Sequence, residues 1–349
     1  MTDSTRGLSL RTSSEVMQAA MRRWQQELEH PAAPKTGIDP LDRLMPGLLD
    51  KGSVTVVGAR PGSGKTLVGH QFATHVARTR PDLDVLIASL EMTAEAMARR
   101  HVIVMAAERG IHLHDPHQWR DERDSPTLMA GLRDFGALPI RWHDSDSAVG
   151  TVMSVLRAGI AQSRGQGRDV GLVLIDYMQL MRSGDAVTRT DEVARASAAV
   201  AELAKEVDVA VIALAQLNRG VAGADGSLRR PVLSDLRDSG TIEQDATAVL
   251  LLHTEPMRGD SAVGGGAHNT EIIIAKARHW PVRQGHVIEM EQDGLRWVPR
   301  DGRATTPSTP TSKLLLPEAA KAAPLYAGRG KYVSPIPGVE VADGLEIDF

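Results

Sequence analysis

The chain has 349 residues, 42% hydrophobic and 24% charged, with only 3% aromatic residues and no cysteine. That length buries one large core or two ordinary ones, and the lack of cysteine removes disulfides, thiolate metal sites and a thiol nucleophile. The net charge of −4 argues against a uniformly basic nucleic-acid coat but leaves room for a local basic patch. No apolar run reaches bilayer length and the first residues hold no secretory h-region, so the expectation is a cytoplasmic protein without membrane contact. The bases are lopsided, 8 Lys against 32 Arg, which makes each lysine an infrequent choice.

Residues 1–12 are polar and patternless. Ser13 and Ser14 then offer N-caps to a helix over about 13–29, where Val16, Ala20, Trp24 and Leu28 recur at helical spacing. A Pro-rich link, His30 to Lys35, ends it. A lone amphipathic helix cannot bury its own stripe, so it must dock on the main domain or on a neighbouring subunit. Residues 1–35 are therefore read as an N-terminal segment with a linker helix. From residue 36 to 300, β-branched runs alternate with helical stretches: 53–59, 84–90, 170–176, 208–215, 247–252 and 270–277. Continuous apolar strands of this kind predict an α/β domain with a mostly parallel sheet covered by helices on both faces. Residues 301–349, rich in Pro, Ala and Gly, read as a mostly disordered tail.

The strongest signal is the segment Val54 to Thr66, in which a buried strand runs into a Gly-rich turn and a helix. Ala59, Arg60, Pro61, Gly62, Ser63 and Gly64 form the turn of such a loop, in which consecutive backbone N–H groups, proline having none, and the helix N-terminus cradle phosphate oxygens. Lys65 reaches β/γ oxygens and the Thr66 hydroxyl ligates Mg²⁺. Ala59 takes the place of the first glycine in the strict spacing. A second carboxylate for the Mg²⁺ is supplied by Asp176 at the end of an apolar strand. Because Tyr177 follows it, the base that activates water must come from elsewhere. Glu91 ends another strand at the carboxyl edge, where open α/β sheets bind ligands, and is the candidate; a helix-start carboxylate without chemistry is the alternative. Gln216, at a third strand end, is placed either to sense the γ-phosphate or to cap the strand.

ARPGSGKT, SLEM, IDYMQLMR, AQLNR, SDLRDSGTIEQDA and EIIIAKAR, in this order, resemble the C-terminal motor domain of the DnaB-type replicative helicases. The resemblance spans roughly Ser14 to Pro299. It implies a RecA-like P-loop NTPase fold, a homo-oligomeric hexameric ring, and ATP (NTP) hydrolysis with Mg²⁺ that drives 5′-to-3′ movement on single-stranded DNA in replication. It assigns nucleotide and Mg²⁺ to Lys65 and Thr66, the catalytic base to Glu91, the Walker B acid to Asp176 and the phosphate sensor to Gln216. Lys276 and Arg278 match a basic pair that reaches across a subunit boundary onto the neighbour's γ-phosphate, so hydrolysis depends on assembly. Arg237, Asp238 and Gly240 correspond to a pore loop that holds DNA phosphates through backbone amides, a contact that carries no base information. The second loop, 181–192, is assigned no contacts.

Two departures accompany the resemblance. His279 and Trp280 stand where the family continues with Asn-Gly, which changes the hairpin tip. The family's N-terminal helical collar, its usual primase-docking surface, is not expected within this chain. Possible partners are therefore primase, a helicase loader or a separate collar protein, and the alternative activity is a DNA-stimulated ATPase that remodels or loads proteins without unwinding duplex. A nucleotide-gated structural ring is a third, non-enzymatic reading. Three weaker signals take bland readings: His112, His114, Asp115 and His117 as a surface loop, 259–269 as a hairpin loop, and the acidic end with Phe349 as a frayed terminus, with docking in a partner's basic pocket as the alternative.

Overall fold

A strand buried on both faces shows no polar alternation, and the β-branched runs of this chain form such strands. The computed structural model describes residues 10, 12–29, 33–107, 126–217, 229–254, 269–293 and 296–305. Within them lie α1 (Ser13–Glu29), α2 (Asp39–Leu44), β1 (Val54–Ala59), α3 (Lys65–Thr79), β2 (Leu83–Ser89), α4 (Ala94–Ala107), α5 (Pro126–Gly136), β3 (Ile140–His143) and α6 (Val149–Gly165). Then follow β4 (Asp169–Asp176), α7 (Arg189–Glu206), β5 (Val211–Gln216), α8 (Gly240–Asp245), β6 (Ala248–Thr254), β7 (Asn269–Ala277), β8 (His286–Asp293) and β9 (Arg296–Thr305).

The strands make one nine-stranded sheet in the order β3-β2-β4-β5-β1-β6-β7-β8-β9. The first six in that order run parallel and the last three are antiparallel. This is the expected α/β architecture, a mostly parallel sheet flanked by helices. Alternate residues of each central strand feed two cores. Val54 and Val56 join Leu156, Ile160, Val193 and Val200 of α6 and α7, while Val57 and Ala59 join Val68, Phe72 and Val76 of α3. Parallel order puts the carboxyl ends of β1, β2, β4 and β5 along one edge, and the loops that leave that edge carry the candidate site.

Several expectations are corrected. β3, β8 and β9 were not anticipated: β3 is short and only half-buried, and β8 and β9 interleave charges with apolar residues, so neither kind gives a continuous apolar run. The strand expected from 208 starts at Val211, because Asp208 takes a left-handed φ of 49°. The N-cap of α1 is Thr12, not Ser13 or Ser14. Its Oγ1 accepts from Glu15 N–H at 3.3 Å, and its own N–H donates to the Glu15 carboxylate at 2.7 Å, a reciprocal capping box. Val16, Met17 and Met21 of this helix are about half exposed (50%, 55% and 53%), so these three apolar side chains are not covered within the protomer. β9 runs through Thr305, across the boundary expected at 300. Residues 112–117, 259–268 and 306–349 lie outside the described residues. Among the described residues no helix is long and apolar enough to cross a membrane.

Gly69 shows how closely α3 approaches the sheet: a Cβ there would stand 2.9 Å from Leu214 and 3.1 Å from Leu174. Gly69→Val should destabilise the fold by about 2 kcal/mol in urea unfolding, because overpacking here must displace two sheet side chains. Unchanged stability would contradict the close packing.

Candidate functional site

The turn between β1 and α3 leaves the sheet at Ala59, which is fully buried, and passes through Arg60 and the exposed Pro61 and Gly62. Ser63 N–H donates to Arg60 O at 3.2 Å, closing the turn. Gly62 and Gly64 have φ of 78° and 79°, the left-handed region that favours glycine. At Gly64 the crowding is an independent reason for glycine, since a Cβ would lie 2.7 Å from Trp297 Nε1. Lys65 and Thr66 then open α3, whose unpaired first N–H groups point at the turn.

Lys65 is 9% exposed and gathers the site. Its Nζ donates to Asp176 Oδ1 at 3.1 Å, stands 3.8 Å from Glu91 Oε2 and lies 4.0 Å from the centre of the Tyr177 ring. Asp176 is buried at the end of β4, whereas Glu91, just past β2, is half exposed. Burial pushes the Asp176 carboxyl up, but the facing His70 and the Lys65 charge outweigh it and hold it below the ordinary carboxylate value. The other oxygen of Asp176, Oδ2, is buried without a hydrogen-bond partner. The Asp176 carboxylate and the hydroxyl that Thr66 carries on the first turn of α3 are oxygen ligands of the kind a hard cation held largely by a phosphate chain takes. Among the described residues there is no cluster of three or more His, Asp or Glu to cage a metal alone.

Two histidines that the sequence did not single out stand behind Asp176. His70 Nε2 is 3.7 Å from Asp176 Oδ2, His70 Nδ1 is 3.1 Å from His101 Nε2, and His101 Nδ1 is 2.9 Å from Thr74 Oγ1. The proton order Thr74 to His101 to His70 satisfies both His101 nitrogens and His70 Nδ1, and leaves the His70 Nε2–H facing the carboxylate beyond hydrogen-bond distance. Trp142 stacks on His70 and Phe135 on His101. His70 and Thr74 share a face of α3, which the i, i+4 spacing allowed one to see; His101 arrives from α4 through packing.

Gln216 closes β5 beside Ala59, and its backbone N–H and C=O are both bonded to the Gln179 side chain. Lys276 and Arg278 lie elsewhere. Lys276 is level with Val249 at the start of β6, and Arg278 N–H donates to Thr247 O at 3.0 Å. They occupy the amino edge of the sheet, about 10–16 Å along the strands from the Lys65 cluster. Lys276 donates to the carbonyls of Glu243 and Ala246, and Arg278 to that of Gln244 at 2.8 Å, so the pair caps the carboxyl end of α8. Burial, then the Arg278 charge, lowers the Lys276 ammonium below its usual value. Trp280 gains a purpose of its own: its indole N–H donates to Pro46 O at 2.6 Å.

Arg237 and Asp238 fall in the 3-10 segment Leu233–Ser239, directly before Gly240. The segment is anchored by Asp235, which accepts from Val232 N–H at 2.7 Å and from both ends of the Arg229 guanidinium at 2.8 and 2.5 Å. Gly240 has an ordinary helical φ of −50°, and a Cβ there would meet nothing within 4 Å, so nothing inside the protomer demands glycine.

Burial first, then the charges of His70 and Arg78, lowers His101 to about 3. Its neutral form therefore contributes stability above the unfolded value near 6.5 that is lost as pH falls toward 3, about 2 kcal/mol of it by pH 5. The fall in melting temperature between pH 7 and pH 5 should be smaller for His101→Gln than for the wild type; equal falls would contradict a buried neutral ring.

Comparison with known proteins places this geometry. The family model described as the DnaB-like helicase C terminal domain matches residues 34–292. Replicative DNA helicase DnaB of Leifsonia xyli is 39% identical over 253 residues, 71% of this chain and 52% of the relative. Replicative DNA helicase DnaC of Bacillus subtilis is 34% identical over 251 residues, again 71% of this chain and 52% of the relative. The chain thus spans about half the length of the curated relatives it matches. The solved ATPase domain of G40P aligns with TM-score 0.68 at 25% identity, covering 83% of this chain and 99% of that one. A structure titled as a DnaB-like replicative helicase and its interactions with primase aligns with TM-score 0.65 at 24% identity, and shares the fold over 83% of this chain and 67% of its own. Matched by that family's model over residues 34–292, the chain belongs to the DnaB-like helicases, as a form of their C-terminal domain.

Proposed function

We propose that the protein is a DnaB-like ATP-dependent motor that couples NTP hydrolysis to 5′-to-3′ translocation on single-stranded DNA in replication, acting as a homo-oligomeric, hexameric ring. The observation that carries the reading is the Lys65, Asp176 and Glu91 cluster beside a glycine-shaped phosphate turn, with Lys276 and Arg278 at the opposite sheet edge.

The chemistry follows from the residues. The α3 N-terminus and the Arg60 to Gly64 backbone receive the phosphates, and Lys65 exchanges its Asp176 partner for β/γ oxygens. Thr66 and Asp176 would hold Mg²⁺, which neutralises charge on those oxygens. Glu91, half exposed and unencumbered by burial, takes the proton of the attacking water. Gln216 faces the γ-phosphate side from the adjoining strand. The basic pair sits too far from its own phosphate turn to serve it, so it serves the nucleotide of the next protomer, where positive charge stabilises the transition state. The DNA contact is made by the backbone around Arg237, Asp238 and Gly240, phosphate by phosphate and without sequence readout. The exposed Val16, Met17 and Met21 of α1 supply a further contact between protomers. Primase, a loader or a separate collar protein are the partners that suit such a ring.

Steady-state ATPase with and without single-stranded DNA, alongside unwinding of a forked duplex with a 5′ tail, tests the reading. Wild type should hydrolyse ATP, respond to DNA and separate strands; Lys65→Ala should do none of these. DNA-stimulated hydrolysis without strand separation would replace the helicase with a remodelling or loading ATPase, and no hydrolysis at any concentration would sink both.

Arg278→Ala should lower kcat by about 10³-fold, the scale of a charge supplied in trans. Mixed with Lys65→Ala it should recover up to about a quarter of wild-type activity, because random assembly gives that share of interfaces one intact phosphate turn facing one intact basic pair. Absence of any recovery counts against action across the interface.

A further inference from the structure

Gln179 lies in the short 3-10 turn Met178–Leu180 that follows β4. Its side-chain amide is spent on one residue: Nε2–H donates to Gln216 O at 2.9 Å, and Oε1 accepts from Gln216 N–H at 3.0 Å. That is the bond pair a neighbouring strand would make, supplied by a side chain. It begins where the β4 and β5 ladder stops, since Val173–Ile175 pair with Val211–Ala213 and no further. On its other side Gln216 is in register with Ala59, and Leu217 N–H donates to Ala59 O at 2.9 Å. The last residue of β5 is thus clamped from both flanks although the sheet itself supplies only one. Removing the amide would leave a half-buried N–H and C=O without partners, a penalty that loosens the strand end first.

A second contact makes the clamp more than a sheet repair. The backbone carbonyl of Gln179 accepts from the Arg189 guanidinium. Arg189 is the first residue of α7, immediately after the loop over 181–188, and also pairs with Glu192 at 2.7 Å. Direct hydrogen bonds therefore run from the start of α7, through Gln179, to the backbone that carries the Gln216 side chain.

We propose that Gln179 is a positioning residue: it fixes Gln216 toward the γ-phosphate side of the site, and through Arg189 it passes the arrangement of the 181–188 loop to Gln216. It touches no substrate itself. The inference deepens the ATPase reading above and rests on it.

The test is steady-state ATPase of the full chain, with and without single-stranded DNA, for wild type, Gln179→Ala, Gln179→Glu, Arg189→Ala, Gln216→Ala and the Gln179→Ala/Gln216→Ala double variant. Gln179→Ala should lower kcat by about tenfold with KM for ATP nearly unchanged. Gln179→Glu accepts from the Gln216 N–H but cannot donate to its carbonyl when ionised, so it should restore the rate only in part. The decisive readout is the double variant, which should be no slower than Gln216→Ala alone, because Gln179 acts through that residue. Arg189→Ala should lower kcat by less than Gln179→Ala does, because it frees the turn that carries Gln179 but leaves both bonds to Gln216. Multiplied losses in the double variant, or a wild-type kcat in Gln179→Ala or in Arg189→Ala, would each overturn the proposal. A wild type that hydrolyses no ATP is a different failure, that of the ATPase reading, and the inference falls with it.

Discussion

Everything around the site turns on one buried ion pair, Lys65 with Asp176. An ammonium that is 9% exposed and a carboxylate that is 1% exposed are each costly alone, and the pair persists because each satisfies the other. The sheet order dictates how they meet. Lys65 follows β1 and Asp176 ends β4, with β5 between them, so the pair bridges over a strand that closes at Gln216. Three functional positions are thereby set by a single piece of topology. In the proposed motor, phosphate oxygens would compete with Asp176 for Lys65, and the carboxylate so released already has one oxygen without a hydrogen-bond partner. Arrival of a phosphate chain and recruitment of a cation by Asp176 are then two halves of one exchange.

Strand direction sets the second constraint. β7 runs antiparallel to β6, which carries its last residues to the amino edge of the sheet while the phosphate turn stays at the carboxyl edge. In the proposed motor, the phosphate turn with Lys65 and the basic pair Lys276 and Arg278 stand on opposite edges of one protomer and meet only between different copies. Such an interface is heterologous, and heterologous contacts that close generate rings. The exposed Val16, Met17 and Met21 of α1 add a further apolar surface.

The central sheet and the phosphate turn were legible in the sequence because each obeys a local rule. Strands buried on both faces leave continuous β-branched runs, and a strand followed by Gly-Lys-Thr announces its loop. Asp176 and Gln216 were legible by position, as polar residues closing apolar strands, and Glu91 as an acid two residues past the end of another. What stayed hidden depended on distant packing. His70 and His101 meet only because α4 lies across α3, and Gln179 acts on Gln216 through a turn whose sequence says nothing of its reach. β8 and β9 escaped for the opposite reason: charged residues interleaved with their apolar ones break the run. Trp280 looked like a disturbance beside the basic pair until its bond to Pro46 O gave the indole an anchor of its own. The basic pair itself was found by motif; no pattern of charge or period revealed that it caps a helix.

That cap joins two otherwise separate parts of the proposed motor. A helix of six residues has no stability of its own, and α8 depends on its ends and on packing. At one end it continues directly from the Leu233–Ser239 segment; along its length Ser197 Oγ donates to Asp245 at 2.6 Å; at the other end Lys276 and Arg278 satisfy its last carbonyls. A cation pair at a helix carboxyl terminus is favoured by the dipole as well as by the hydrogen bonds. Were the pair to leave for phosphates on a neighbouring copy, those carbonyls would lose their partners and the helix its cap, so α8 could not hold its position unchanged. The segment before it would feel the difference, since α8 starts at Gly240, directly after Ser239. In the proposed motor, engagement of the next protomer's nucleotide and the placement of the backbone proposed to hold DNA phosphates are therefore linked through the capping of one short helix.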